Sequence, residues 1–266
     1  MRLAQKEDEI IAAEGRRTWR LRMRAFAATV VIVTAIAYAG VLDVDRYRDF
    51  LPAMGTIIAE AVPPDWSRWP VWLRAVLETV TMAVAGTAIG AVLAFALTLV
   101  ALPMCGAPKP VRFACRALFA VFRSLPELVL GTVLVAAVGF GALPGTWALA
   151  LHSFGMLGRF YLTILKTADP APVSAILSQG ASPLLAVRFA LLPQVWYQLA
   201  DVTIYRFEHN VRASTIIGMV GAGGLGLELI SAMRLFEYRE MSALLLITLG
   251  LVLAVDAVGQ MLRGRF

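Results

Sequence analysis

The sequence predicts an all-α fold, a polytopic membrane helical bundle of about six transmembrane helices. Three observations lead there. Of 266 residues, 59% are hydrophobic and 16% charged, with mean hydropathy +0.75, whereas ordinary soluble domains are roughly 45–50% apolar. Apolar stretches of about 18 residues or more recur along the chain, the length that roughly 30 Å of hydrocarbon demands. Lysine and arginine gather in alternate connections between those stretches. With a formal net charge of +6, that pattern speaks for membrane topology and against nucleic-acid binding.

Taken in order, residues 1–24 form a polar tail carrying Lys6, Glu7, Asp8 and Glu9, then Arg16, Arg17, Arg20, Arg22 and Arg24. It is too long and too mixed in charge for a signal-peptide n-region, so the apolar run 25–42 is expected to stay as an anchor. Residues 25–73 comprise this first transmembrane helix and an external linker. Within the linker, 51–62 reads as an amphipathic helix, and Trp66 and Trp69 after Pro63-Pro64 mark an interfacial belt. Residues 74–266 form one integral domain with spans at about 74–102, 116–139, 143–165, 190–219 and 240–262. On the second span, Ala83, Ala85, Gly86 and Gly90 let a neighbouring helix approach closely. Lys109, Arg112, Arg116, Lys166, Arg188, Arg263 and Arg265 fall on the same side as the tail's arginines. The positive-inside rule makes that side cytoplasmic, with both termini there. Cys105 and Cys115, at one basic loop, are too few for a disulfide framework or a metal site.

The fifth span is interrupted by Arg206, Glu208, His209, Asn210 and Arg212. Each charge near the bilayer interior costs on the order of 2.5–3.5 kcal/mol, so these side chains must face a cavity, a partner or an interface. Glu208 and Arg212 are spaced i,i+4 and can pair; Arg206 and His209 share a neighbouring face. Arg123 and Glu127 are also i,i+4, with Pro126 between them as a kink. Arg123, Glu127, Arg206, Glu208, His209 and Arg212 are therefore candidates for a translocation path or gate. Arg206 or Arg212 would offer forked donors to an oxyanion, and a purely structural ion-pair network is the alternative. His152 reads as a packing histidine rather than a ligand. With two histidines and no HExxH or Ser-His-Asp arrangement, no catalytic or metal site is expected.

Gly221, Gly223, Gly224 and Gly226 lie in a run that matches the dinucleotide fingerprint GxGxxG. Too little chain follows for the βαβ units that motif requires, and no lysine follows for a phosphate loop. The run reads instead as a re-entrant or bent connection on the outer side.

Between the fourth and fifth spans lies a polar stretch, about 169–189, from Asp169 through Ser174, Ala175, Gly180 and Ala181, with Leu192 and Pro193 beyond it. Ala175, Gly180, Leu192 and Pro193 match the spacing of the cytoplasmic loop of ABC importer permeases, which this sequence resembles; a plain Pro- and Gly-rich helix connection would look similar. Ser174 stands where that family usually has glutamate, and Ala190 at its aliphatic position. The runs 123–127, 148–153 and 205–212 resemble the phosphonate-type branch, and the resemblance covers about 74–262.

The resemblance implies a type I importer permease-like five-helix core preceded by an N-terminal helix, in a bacterial inner membrane. It implies that the 169–189 loop couples to a separate ABC ATPase subunit, which binds ATP and Mg, so that this chain holds no cofactor and is not an enzyme. It further implies an extracytoplasmic substrate-binding protein, a second permease subunit in a homodimer, and a phosphonate, phosphite or phosphate cargo. Another small solute such as methionine is an alternative. So is a secondary carrier, which Glu127 and Glu208 would serve as coupling-ion carboxylates.

Overall fold

The computed structural model describes the backbone of residues 2–264 and the side chains of 17–45 and 47–264. Arg265, and the side chains of Lys6, Glu7, Asp8, Glu9 and Arg16 from the tail, lie outside the described residues. The chain divides into two compact units, 1–59 and 60–266, a boundary that falls inside the stretch 25–73.

In the first unit, α1 (Arg2–Tyr38) runs without a break, so tail and first span are one helix. The apolar side chains Val30, Val31 and Ile32 are exposed, as a helix set in hydrocarbon requires. Two short helices follow, α2 (Val44–Arg48) and α3 (Phe50–Ala61), the latter where 51–62 is expected to be helical.

The second unit contains α4 (Trp69–Ala101), α5 (Lys109–Ser124), α6 (Glu127–Val138), α7 (Ala142–Leu165), α8 (Pro170–Ser178), α9 (Pro183–Ala186), α10 (Leu192–Ile217), α11 (Gly224–Arg234) and α12 (Tyr238–Arg263). No strand occurs among the described residues. Four helices are individually long and apolar enough to cross a membrane: Arg17–Tyr38 of α1, and α4, α7 and α12. Two bent pairs, α5 with α6 at 88° and the segment Pro183–Ala222 with α11 at 58°, make six spans if each pair crosses as one.

Two expectations are corrected here. The span at 116–139 is not one helix: Leu125 and Pro126 are extended, with ψ of 123° and 137°. Proline lacks an N–H and disfavours helical geometry in the residue before it, so the chain turns sharply at that point. Arg123 and Glu127 consequently sit on different helices and are not i,i+4 neighbours. The fifth span, in contrast, passes unbroken through its charged run, and α11 adds a helix that the apolar pattern does not reveal.

The axis of the unit is the contact between α4 and α7. A Cβ on Gly86 would come 2.7 Å from Leu149 Cβ, and one on Gly90 2.7 Å from Ser153 Cβ, so two turns of α4 lie almost backbone to backbone on α7. Three apolar layers stack along the bundle. One includes Phe119, Phe154, Leu157, Leu165 and Leu191, the next Met82, Val135, Leu149 and Ile217, and the third Trp72, Leu225 and Leu244. Between the first two layers, near the middle of α7 and in the second half of α10, the buried side chains are polar: Thr87, Ser153, Arg206 and Asn210.

Candidate functional site

The polar layer is organised by one carboxylate. The break at Pro126 makes Glu127 the first residue of α6, where a negative charge also favours the helix N-terminus. Glu127 Oε1 lies 2.8 Å from Arg206 Nη2, 2.8 Å from His209 Nε2 and 3.3 Å from His152 Nε2. Arg206, only 4% exposed, also donates from Nε to Ser153 Oγ at 3.0 Å. Asn210 Nδ2 donates to Ser153 Oγ and to Thr87 Oγ1, both at 2.8 Å. His152 Nδ1 sits 3.0 Å from the Leu125 carbonyl, which the extended residue before Pro126 leaves free of a helical partner. The network joins α4, α6, α7 and α10 in the middle of the bundle.

Glu208 and Arg212 do not pair with each other, contrary to their i,i+4 spacing. Glu208 points to α12, where Arg263 Nη2 approaches its Oε1 to 2.9 Å, and Arg212 Nη1 lies 3.1 Å from Asp256 Oδ1. Cross-helix pairing wins because each charge then meets its opposite inside the α10–α12 seam, and Gly259 leaves the room: a Cβ there would collide with the Glu208 carboxylate. Of the six candidate residues, Glu127, Arg206 and His209 are brought together, Glu208 and Arg212 hold α12, and Arg123 stands apart in a cationic pocket. His209 and Arg206 share a face as expected.

The glycine run is a bend. Gly221, Gly223 and Gly224 have φ of +107°, +88° and +67°, a region open to glycine at little cost, and they end a π-helical turn at Gly218–Ala222. Gly226 lies against the Thr215 carbonyl so closely that no side chain fits. The freed N–H groups of α11 find acceptors on α4: Gly224 donates to Glu78 Oε2 and Leu225 to Thr79 Oγ1, both at 2.9 Å. This is a helix N-cap supplied by another helix.

The connection between α7 and α10 is a built turn. Asp169 caps α8, accepting from Ala171 N–H at 2.9 Å, and the helix spans Pro170–Ser178, carrying Ser174 and Ala175 exposed. Gly180 follows at φ +80°, reversing the chain, and Ala181 is half-buried beyond it. Pro193 occupies the first turn of α10 after Leu192, where its missing N–H is harmless. Gln194 then ties the two ends: its Oε1 accepts from Asp169 N–H at 2.9 Å, and its Nε2 donates to the carbonyls of Asp169 at 3.2 Å and Ala190 at 2.8 Å.

Sequence reasoning missed Ser153, Thr87, Glu78, Thr79, Gln194 and Asp256 as members of these arrangements. Asp256 was findable as an isolated carboxylate in an apolar span, and Gln194 as the polar residue after Pro193. Glu78 carries the same signal as Asp256, a carboxylate in an apolar span, whereas Ser153, Thr87 and Thr79 look like ordinary packing residues until their partners are known.

The arrangement is an apolar helical bundle with a buried polar layer and a reversed polar hairpin between two apolar helices. Residues 86–266 match the family model of the binding-protein-dependent transport system inner membrane component, and the chain belongs to that family, as a permease. It is 43% identical over 99% of its length, and 96% of the relative's, to a phosphite transport system permease protein of Stutzerimonas stutzeri. It is 32% identical to a phosphate-import permease protein of Mycolicibacterium smegmatis, over 92% of this chain and 47% of that one. In fold it resembles a chain of the inward-facing methionine ABC transporter MetNI, with a TM-score of 0.65 at 21% identity, covering 76% of this chain and 98% of that one.

Proposed function

We propose that this permease passes a small phosphorus oxyanion, of the phosphite, phosphonate and phosphate class, across the inner membrane in an ATP-driven importer. The observation that carries the substrate class is the 43% identity, spread over 99% of the chain, with a phosphite transport permease. The α8 hairpin is the coupling element. It docks in a separate ABC ATPase subunit that binds ATP and Mg, while an extracytoplasmic binding protein delivers the cargo and a second copy of this chain completes a homodimer. Both termini face the cytoplasm, on the side where lysine and arginine concentrate. Ser174, placed where a carboxylate would be expected, makes this contact one of shape and not of an ion pair.

Within this reading, Glu127, Arg206, His209, Glu208 and Arg212 lock α6, α10 and α12 together and do not ligate the cargo. Every arginine among them already has a carboxylate: Arg206 has Glu127, and Arg212 has Asp256. The same pairing disfavours a secondary carrier, since Glu127 and Glu208 are both engaged. The test is ATPase activity of the chain assembled with its ATPase and binding protein in proteoliposomes. Stimulation by binding protein loaded with phosphite or a phosphonate, and not with methionine, is the expected result. An assembly in which no ATPase binds the chain, or in which uptake proceeds without ATP, would overturn it.

A further inference from the structure

A pocket of about 290 Å³ opens between α5 and α7, away from the polar layer. Four cationic side chains frame it, Arg116 and Arg123 from α5, Arg159 from α7 and Lys166 at the C-cap of α7, and its lining contains no acidic residue. Each pair is spaced i,i+7, about two helical turns, so each presents one face. The helices meet there because Gly155 and Gly158 replace side chains on α7: a Cβ on Gly155 would lie 2.9 Å from the Phe119 carbonyl, and one on Gly158 would overlap the Phe119 ring.

Cations without a carboxylate in ion-pair reach among the described residues occur elsewhere in the second unit, Arg112 and Arg188 for example, but here four of them converge on one cavity. Arg68, Arg206, Arg212 and Arg263 each meet a carboxylate, yet among the described residues none of the four pocket cations has one within ion-pair reach. Arg123 adds a second sign, since its Nε is buried and makes no hydrogen bond. A buried guanidinium N–H without an acceptor, beside three other cations, is costly unless something negative completes it. Positive-inside topology accounts for basic residues on this side, but not for their convergence on one cavity. Forked guanidinium donors match tetrahedral oxyanions, and a lysine adds a mobile point charge.

We propose that Arg116, Arg123, Arg159 and Lys166 form a binding site for a phosphate-class oxyanion, either the headgroup of an anionic phospholipid or a free phosphorus oxyanion. The site stands independently of the transport reading, since a lipid would occupy it whatever the chain carries. The test uses the full chain in nanodiscs. In zwitterionic lipid, binding of radiolabelled inorganic phosphate is measured; in discs doped with phosphatidylglycerol, retention of that lipid is measured by native mass spectrometry. Arg123→Gln/Arg159→Gln is compared with Arg112→Gln, a cation of α5 outside the pocket. Saturable phosphate binding weakened at least tenfold by the double variant, and within twofold of the parent for R112Q, assigns the site to a free oxyanion. Phosphatidylglycerol retention lost in the same selective way assigns it to a headgroup. If the double variant fails to assemble, the exposed single changes Arg116→Gln and Lys166→Gln carry the same comparison. Binding of neither probe, or equal loss in R112Q, overturns the proposal.

Discussion

Neutralising Glu127 should cost the fold more than neutralising Glu127 and Arg206 together. Glu127→Gln keeps the shape and an acceptor oxygen but removes the charge opposite Arg206, whose guanidinium is 4% exposed and 2.8 Å away. Breaking a buried ion pair from one side costs about 3–5 kcal/mol, because the surviving charge is left uncompensated. At about 1.4 kcal/mol per decade, that is a shift of roughly a hundredfold to a few thousandfold in the folded population. Arg206→Met alone strands Glu127 with only the two histidines and should fall in the same range. The double variant removes both charges, so its cost should not exceed the larger single one, a coupling of at least about 2 kcal/mol. The assay is reversible unfolding in mixed micelles titrated with denaturing detergent, read by helical circular dichroism. Additive losses would refute the ion-pair account. Uptake separates the two roles of Arg206: a stable double variant that still transports fits a lock, whereas a stable one that does not transport makes Arg206 a cargo ligand.

Gly180→Val forces a β-branched residue to φ +80°, at about 1–2 kcal/mol, while nothing stands within 4 Å of the new Cβ; the chain should assemble but lose binding-protein-stimulated ATPase, and Gly180→Asn should retain most of it. Gln194→Leu removes three hydrogen bonds, two of them between the ends of the α8 hairpin, and uptake per ATP hydrolysed in proteoliposomes should fall several-fold with little change in chain abundance. Gly90→Leu drives a side chain into Ser153 and the Ala150 carbonyl, 2.7 and 2.8 Å from where its Cβ must sit, so the folded chain should be lost at about 1–3 kcal/mol or more, seen as loss of a monodisperse peak in detergent. Asp65, in the loop before α4, accepts from the Ser67 N–H at 2.9 Å, which holds its carboxyl below the usual range. Its contribution is present above that range and disappears as pH falls through the lowered value, so Asp65→Asn should flatten the acid limb of a thermal-stability profile.

Much of the bundle was legible in the sequence because hydrocarbon imposes one requirement on every span, a run of apolar residues of sufficient length. That requirement is local and one-dimensional, and it placed α4, α7 and α12 within a few residues. The α8 turn was legible for a similar reason: a proline-led start, a capping aspartate and a left-handed glycine are local signals. The sharpness of the bend between α5 and α6 was less so, since a proline announces a kink without stating its angle.

The partners of the charges were not legible. Spacing along one helix suggested that Glu208 pairs with Arg212 and Arg123 with Glu127, yet none of these pairs forms. Within a membrane an unpaired charge is unfavourable, and Glu127, Glu208 and Arg212 each take a partner in three dimensions that lies tens to about eighty residues away. Composition and periodicity by themselves determined that this chain spans a membrane and where its polar hairpin lies. Only the tertiary structure decided that Glu127 gathers Arg206 and His209, that Asp256 answers Arg212, and that Arg123 faces a pocket with no counter-charge. Such pairings depend on which helices glycine allows to touch, and that choice is made by the whole bundle at once.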